Sequence, residues 1–240
     1  MNPIHLPLEK RYTRLMKTKI IILGLVGIVA VAGIFLYVTR PVSAPTEEIN
    51  NDVVAVPQTG DTTEKVMSIV QSESKAEFSL NEVLRGTPTK VIGTTNQIAG
   101  NITIKSSAPA KITIGEVKVN ARTLKTDSEQ RNGAIARLIL KSEESEFEYI
   151  TFTPTVVIGV PSEIKTDLSF PFTVTGNLTI RGMTKSVSFA AQGTLRADGS
   201  FAATADHVVT YADFGVSVPN LPFLANVDKT AKISVSIVAR

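Results

Sequence analysis

The chain reads as an all-β protein whose strands form one antiparallel sheet or barrel. Three observations point there. First, Thr166 to Leu195 alternates: Leu168, Phe170, Phe172, Val174, Leu178 and Ile180 share one face, and Asp167, Ser169, Thr173, Thr175, Asn177, Thr179 and Arg181 share the other. Successive side chains leave a strand on opposite faces, so a period of two rich in β-branched and aromatic residues marks a half-buried strand. Second, Gly182 interrupts the pattern, which resumes with Val187, Phe189, Ala191 and Leu195. Two such runs about a short glycine turn make a hairpin. Third, one face is apolar and the other polar, which leaves one side wet. That separates an antiparallel sheet from a parallel α/β core.

Length and composition narrow the function. The 240 residues suffice for one all-β domain plus extra segments. No cysteine is present, which excludes disulfides, a thiolate nucleophile and a Cys-ligated metal. The net charge of +3 is small, and lysines and arginines are scattered without an aromatic–basic face; nucleic acid is not an expected partner.

Residues 1–19 form a basic tail, with Lys10, Arg11, Arg14, Lys17 and Lys19 against Glu9. Ile20 to Val38 then carries no charged residue. Its length as a helix is about 29 Å, close to the hydrocarbon thickness of a bilayer. Residues 20–39 are therefore expected to be a transmembrane anchor. The competing reading is a cleaved signal peptide, with Val42-Ser43-Ala44 as a loose cleavage site followed by Pro45. The positive flank places the N-terminus in the cytoplasm and the remainder on the extracytoplasmic side, periplasmic or at the cell surface. Residues 40–64, with three prolines and small polar residues, read as a flexible linker. Val53, Val54 and Val56 within it could form a short strand.

From residue 65 to 240 the chain is nearly all strand. Eight candidates are Val66–Val83, Val91–Ile104, Lys111–Ala121, Glu148–Val160, Thr166–Arg181, Thr184–Arg196, Ser200–Tyr211 and Thr230–Ala239. A phase switch at Gly115-Glu116 predicts a β-bulge. Pro154 and Pro171 predict bulges or unpaired edges, because proline cannot donate to the ladder. Thr126-Asp127-Ser128-Glu129 has the spacing of a capping box, and Ile135, Leu138 and Ile139 follow at helical spacing, so one amphipathic helix is expected over 127–140. The acidic run Glu143, Glu144, Glu146 and Glu148 is expected to be a solvated loop. Sequential hairpins favour an eight-stranded antiparallel up-and-down barrel over two packed sheets. Small residues at inward positions (Ala76, Gly100, Ala191, Ala203, Ala205, Ala231) either leave a tunnel or fit a tapering core.

Several stretches resemble the YceI-like family, the polyisoprenoid-binding lipid carriers of bacteria. They are Val91-Ile92-Gly93 to Gly100-Asn101-Ile102-Thr103-Ile104, Val119-Asn120-Ala121-Arg122-Thr123-Leu124 to Thr126-Asp127, Arg131, Ile150-Thr151-Phe152, and the hairpin from Gly176 to Val187. Asp213-Phe214-Gly215-Val216 before the last strand completes the set, which covers about residues 66–240 in order. The sequence departs from the family at Ser186, at Tyr211 and Ala212, and at Asn132 to Ala134. The resemblance implies an extended, lipocalin-like barrel with an isoprenoid chain threaded through an apolar lumen.

Such binding needs continuous apolar surface and no catalytic group. Phe78, Ile102, Ile104, Ile114, Phe152, Phe170, Phe172, Val187, Phe189 and Val235 are the expected lining; each is otherwise an ordinary core residue. Phe201, Ala203, Ala205, His207, Val209 and Tyr211 share one face. If Phe201 points inward, His207 and Tyr211 could meet a headgroup at the mouth. The opposite register, with Val208 inward and His207 in water, is the expected one of the two. No cofactor or metal is expected beyond the lipid ligand. Enzyme chemistry is not expected: one histidine follows the apolar run, and neither a Gly-x-Ser-x-Gly elbow nor a phosphate loop occurs. The reading is a membrane-tethered lipid carrier or storage protein; a filled β-domain acting as an interaction module is the alternative.

Overall fold

A computed structural model of the chain describes residues 8–47, 49, 64–84, 86–218 and 224–240. The chain divides into two units, 1–40 and 41–240. In the first, helix α1 runs Leu8–Thr39 and takes in the whole uncharged run. Among the described residues no helix is long and apolar enough to cross a membrane; the side chains of residues 23–26, 28, 31 and 38 in that run lie outside the description.

The second unit is built from strands β1 (Glu64–Ser68), β2 (Lys75–Leu84), β3 (Thr87–Thr95), β4 (Ile98–Ala99), β5 (Asn101–Lys105), β6 (Lys111–Ile114), β7 (Val117–Asn120), β8 (Tyr149–Ile158), β9 (Phe170–Ile180), β10 (Met183–Leu195), β11 (Phe201–Thr210), β12 (Leu224–Ala225) and β13 (Thr230–Ala239). One sheet follows the order β12-β2-β13-β11-β10-β9-β8-β7-β4, with β3 on β2, and a smaller sheet is β1-β5-β6. All pairings are antiparallel, and most join neighbours in sequence. The result is an all-β, nearly closed barrel. The expected count of eight strands is corrected: the main path holds nine. Three expected strands are broken by kinks. The first is cut by a 3₁₀ turn at Gln71–Glu73, the second beyond Thr95 and again at Gly100, and the third at Gly115, whose N–H donates to Asn101 O at 2.8 Å.

The hairpin of β9 and β10 pairs Ile180 with Met183. Its two loop residues have positive φ, 51° at Arg181 and 73° at Gly182. That is the type I′ turn whose twist matches its flanking strands. Arg181 holds the turn down by donating to Gly215 O (3.0 Å). The register of β8 on β9 shifts between Pro154 and Val156, a bulge where the proline stands. Pro171 lies beyond the last β8 pair and is paired on one side only, with Gln192 of β10. Leu168, expected on the apolar face, precedes β9 and is exposed.

Helix α2 spans Glu129–Ala134 and continues as π-helical turns through Ile139. The expected start at 127 is corrected. Ser128 is the N-cap, its side chain accepting from Arg131 N, while the Thr126 hydroxyl and amide donate to Asn132 Oδ1 at 2.9 and 2.7 Å. Arg131 then reaches Glu82 on β2 at 2.9 Å, tying the helix to the barrel.

Of the stretch 40–64, residues 41–47 lie against the barrel through hydrogen bonds described below, and Ile49 is buried. The expected strand at Val53–Val56 lies outside the described residues.

Candidate functional site

Residues directly opposite on adjacent antiparallel strands share a face, so the register defines rows around the barrel interior. One row runs Phe78–Ile233–His207, through the pairs Ile233↔Phe78 and His207↔Ile233, and reaches Phe189, whose ring centroid is 5.4 Å from that of His207. Phe189 in turn meets Phe152 edge-to-face at 5.1 Å. The row beside it runs Ala76–Val235–Ala205–Ala191–Phe172. A row of bulky side chains therefore borders a row made mostly of small ones.

Burial differs around these rows. On β9, Phe170, Phe172, Val174, Leu178 and Ile180 are all buried, as are Phe189 and Ala191 on β10. On β11, β13 and β2, the inward residues Ala203, Ala205, His207, Ile233, Val235 and Phe78 are only half-buried. Ala203, Ala205, Ile233 and Val235 also pack against the core clusters.

The expected lining residues separate into three groups. Ile102, Ile104, Ile114, Phe170 and Phe172 belong to the core at one end. Val187 and Tyr211 pack at the other, with Leu178, Ile180 and Phe214. Phe78, Phe189, His207 and Val235 lie between, and Phe152 touches both ends. The expectation that Val208 points inward is corrected. Val208 is 58% exposed while Phe201 is fully buried, and His207 faces Phe189. The buried Phe201 sets the phase of the strand, and its ring occupies the room left by the missing Cβ of Gly193.

Among the described residues the barrel wall is open between β6 and β8. The second half of β8 pairs with β9 alone among the described residues, and β6 pairs only with β5. A cleft of about 470 Å³ lies between them, lined by Ile112, Ile114, Pro154, Val157 and Val160 among others.

Of the acidic run, Glu144 and Glu146 are exposed as expected of a solvated loop, whereas Glu143 and Glu148 turn inward to arginines. Glu148 pairs with Arg122 (3.1 Å) with both side chains almost wholly buried, 1% and 5% exposed. Glu143 pairs with Arg137 (3.0 Å). Burial would push both carboxyls up. Hydrogen bonds to Glu148 from Thr46 and Asn120, with the Arg122 charge, outweigh it and hold that carboxyl below its usual range. The Ser43 amide and the Arg137 guanidinium do the same for Glu143. Such pairs are kept because leaving either charge buried alone costs several kcal/mol. Among the described residues no group of three or more His, Asp or Glu side chains could hold a metal.

The model of the YceI-like domain matches residues 67–239. No curated protein is significantly similar to the chain. Among solved structures, a polyisoprenoid binding domain from Saccharophagus degradans, implicated in plant cell wall breakdown, is similar with a TM-score of 0.55 at 12% identity over 72% of this chain and 97% of that one. Burkholderia cenocepacia BcnA is similar with a TM-score of 0.51 at 14% identity over 72% and 99%. At these identities the likeness concerns the fold.

Proposed function

Because the chain belongs to the YceI-like family, we propose that its barrel binds a polyisoprenoid or related isoprenoid lipid, such as a quinone or carrier-lipid tail, along the β11–β13–β2 wall. The observation that carries this is the row of small side chains, Ala76, Val235, Ala205 and Ala191, beside the bulky row of Phe78, Ile233, His207 and Phe189. Half-buried apolar groups facing inward are surface that a hydrocarbon chain would cover. Each buried CH₂ contributes about 0.8 kcal/mol before ordering costs, so a tail of several isoprene units binds from burial alone. His207, the one polar side chain in that bulky row, is placed to meet a headgroup or a tail double bond. The similar Saccharophagus domain, described as polyisoprenoid binding, supports the same ligand class.

In this reading residues 20–39 anchor the chain in a membrane, with the barrel extracytoplasmic as a lipid carrier or store. The uncharged run from Ile20 to Val38 and the basic residues before it support that arrangement. N-terminal sequencing of the mature protein from membranes tests it, and a start near Pro45 would sink the anchor.

The ligand is tested by mass spectrometry of an organic extract of the full-length protein purified from bacterial membranes in detergent. A stoichiometric isoprenoid lipid is expected. An extract without one, both before and after incubation with isoprenoid-containing vesicles, would overturn the proposal and leave a filled β-domain that acts as an interaction module.

A further inference from the structure

The two Arg–Glu pairs make matching contacts to residues 41–46, three residues apart, and Arg122 Nη1 adds a bond to the Thr46 hydroxyl at 3.1 Å. Arg137 Nη2 donates to Pro41 O at 2.6 Å. Two residues on, the Ser43 amide and hydroxyl donate to Glu143 Oε1 at 2.9 and 3.2 Å. Arg122 Nη1 donates to Ala44 O at 2.8 Å. Two residues on again, the Thr46 amide donates to Glu148 Oε1 at 2.9 Å and its hydroxyl to Glu148 Oε2 at 2.5 Å. Each guanidinium reads a carbonyl at position i, and each carboxylate reads an N–H and a hydroxyl at i+2.

The barrel side of this arrangement is held without the segment. Arg122 Nε donates to Ser142 O (2.8 Å) and Nη2 to Glu143 O (3.1 Å), and Asn120 Nδ2 donates to Glu148 Oε1 (2.9 Å). Arg137 grips Glu143 through both Nε and Nη2, at 3.0 Å each. Residues 41 and 43–47 are themselves exposed on their outer side. A polyproline-type chain returns to the same side every three residues, and Pro41 and Pro45 restrict φ in that sense. The spacing of the two readers matches that repeat.

We propose that Arg137–Glu143 and Arg122–Glu148 form a two-module peptide clip, specific for an extended, proline-containing segment with a hydroxyl residue at every third position, and that residues 41–46 of the same chain occupy it in cis. The segment that leaves α1 is then fastened to the barrel from residue 41 onward. The clip is independent of whatever the lumen holds.

Hydrogen exchange of the full-length chain in detergent tests the clip, followed at the Ser43 and Thr46 amides. Hydrogen bonds to charged groups of this kind slow exchange by about tenfold or more. Both amides are therefore expected to be protected, and each hydroxyl deletion to act mainly on its own module. Ser43→Ala speeds exchange at 43, Thr46→Val speeds it at 46, and the double variant speeds both while amides of β9 keep their protection. Thr46→Ser, which retains the hydroxyl, is expected to exchange as the parent does. Exchange at 43 and 46 as fast as in an unstructured peptide would overturn the proposal, as would a double variant that leaves protection unchanged. Protection lost on dilution would mean that a second copy supplies the segment, and would overturn occupation in cis. These substitutions sit on exposed residues, so loss of folding does not intervene; Glu148→Gln provides the barrel-side check, with β9 exchange as its folding control.

Discussion

The wall formed by β9 and β10 and the wall formed by β11, β13 and β2 carry the same inward–outward alternation but fill the barrel differently. On β9 the inward residues Phe170, Phe172, Val174, Leu178 and Ile180 are large and buried, with the buried Gly176 among them. On β11 Phe201 and Val209 are buried, while Ala203, Ala205 and His207 between them are small or polar-tipped and half-buried, as Ile233 and Val235 on β13 are half-buried. Alternation decides which side of a sheet a residue faces. The size of the residues that share a row decides whether the interior is filled. Phe172 and Val235 show this within one row, joined through Ala191 and Ala205.

The largest expected effect separates the walls by stability. Phe172→Ala removes a buried ring from a close-packed cluster and is expected to cost about 3–5 kcal/mol. Phe78→Ala deletes the same atoms from the half-buried wall, where the ring lies over Gly93 on the neighbouring strand, and is expected to cost about half as much, since less area leaves water on folding. Urea titration checks both, as lowered midpoints with unchanged slopes. Equal losses would mean that the two walls are equally packed.

A smaller stability change with a large binding change sharpens the comparison. Val235→Phe adds bulk to the row of small side chains. In a filled core that overpacking costs about 1–3 kcal/mol. With the proposed lumen along β13 the expected cost is below about 1 kcal/mol, while the isoprenoid recovered by extraction falls at least tenfold. A large loss of stability with the lipid yield unchanged would place the ligand elsewhere.

Much of the barrel was legible because its strands announce themselves locally. The β9–β10 hairpin, the break at Gly115 and the irregularity at Pro154 each follow from a residue that cannot do otherwise. The kinks at Gln71–Glu73 and Gly100 were not legible, because apolar alternation runs on through a bend. The phase of β11 was ambiguous because Ala203 and Ala205 compete weakly with Val208, and only the burial of Phe201 against Gly193 decides it. The Arg–Glu pairs were hidden for a different reason. Arg122 and Glu148 meet through the fold and not through spacing, and a run of glutamates ordinarily faces water. The fastening of residues 41–47 was hidden with them, since prolines and hydroxyl residues also compose flexible linkers.

The smallest expected effect concerns the polar end, which belongs to neither wall. Glu143 and Glu148 are held below the usual carboxylate range in the folded chain. A group whose folded pKa is depressed stabilises the fold above its unfolded value, and that contribution is lost as pH falls through the folded value. The charges facing these carboxylates are Arg137 and Arg122, with Tyr149 beside Glu148 and Glu47 beside Tyr149. Neutralising the carboxylates weakens their hold on the Ser43 and Thr46 amides and leaves both guanidiniums under-compensated. Residues 41–47 are therefore expected to loosen as pH falls below the ordinary carboxylate range, before either wall opens, because β9, β10, β11 and β13 carry no carboxylate facing inward and the buried one on β2, Glu82, is paired with Arg131. Limited proteolysis by pepsin over a descending pH series, with the barrel's circular dichroism followed in parallel, checks the order of events. Cleavage within 41–47 while the β signal is intact is the expected result. Simultaneous loss of both would mean that the pairs hold the barrel itself together and not only the segment laid across them.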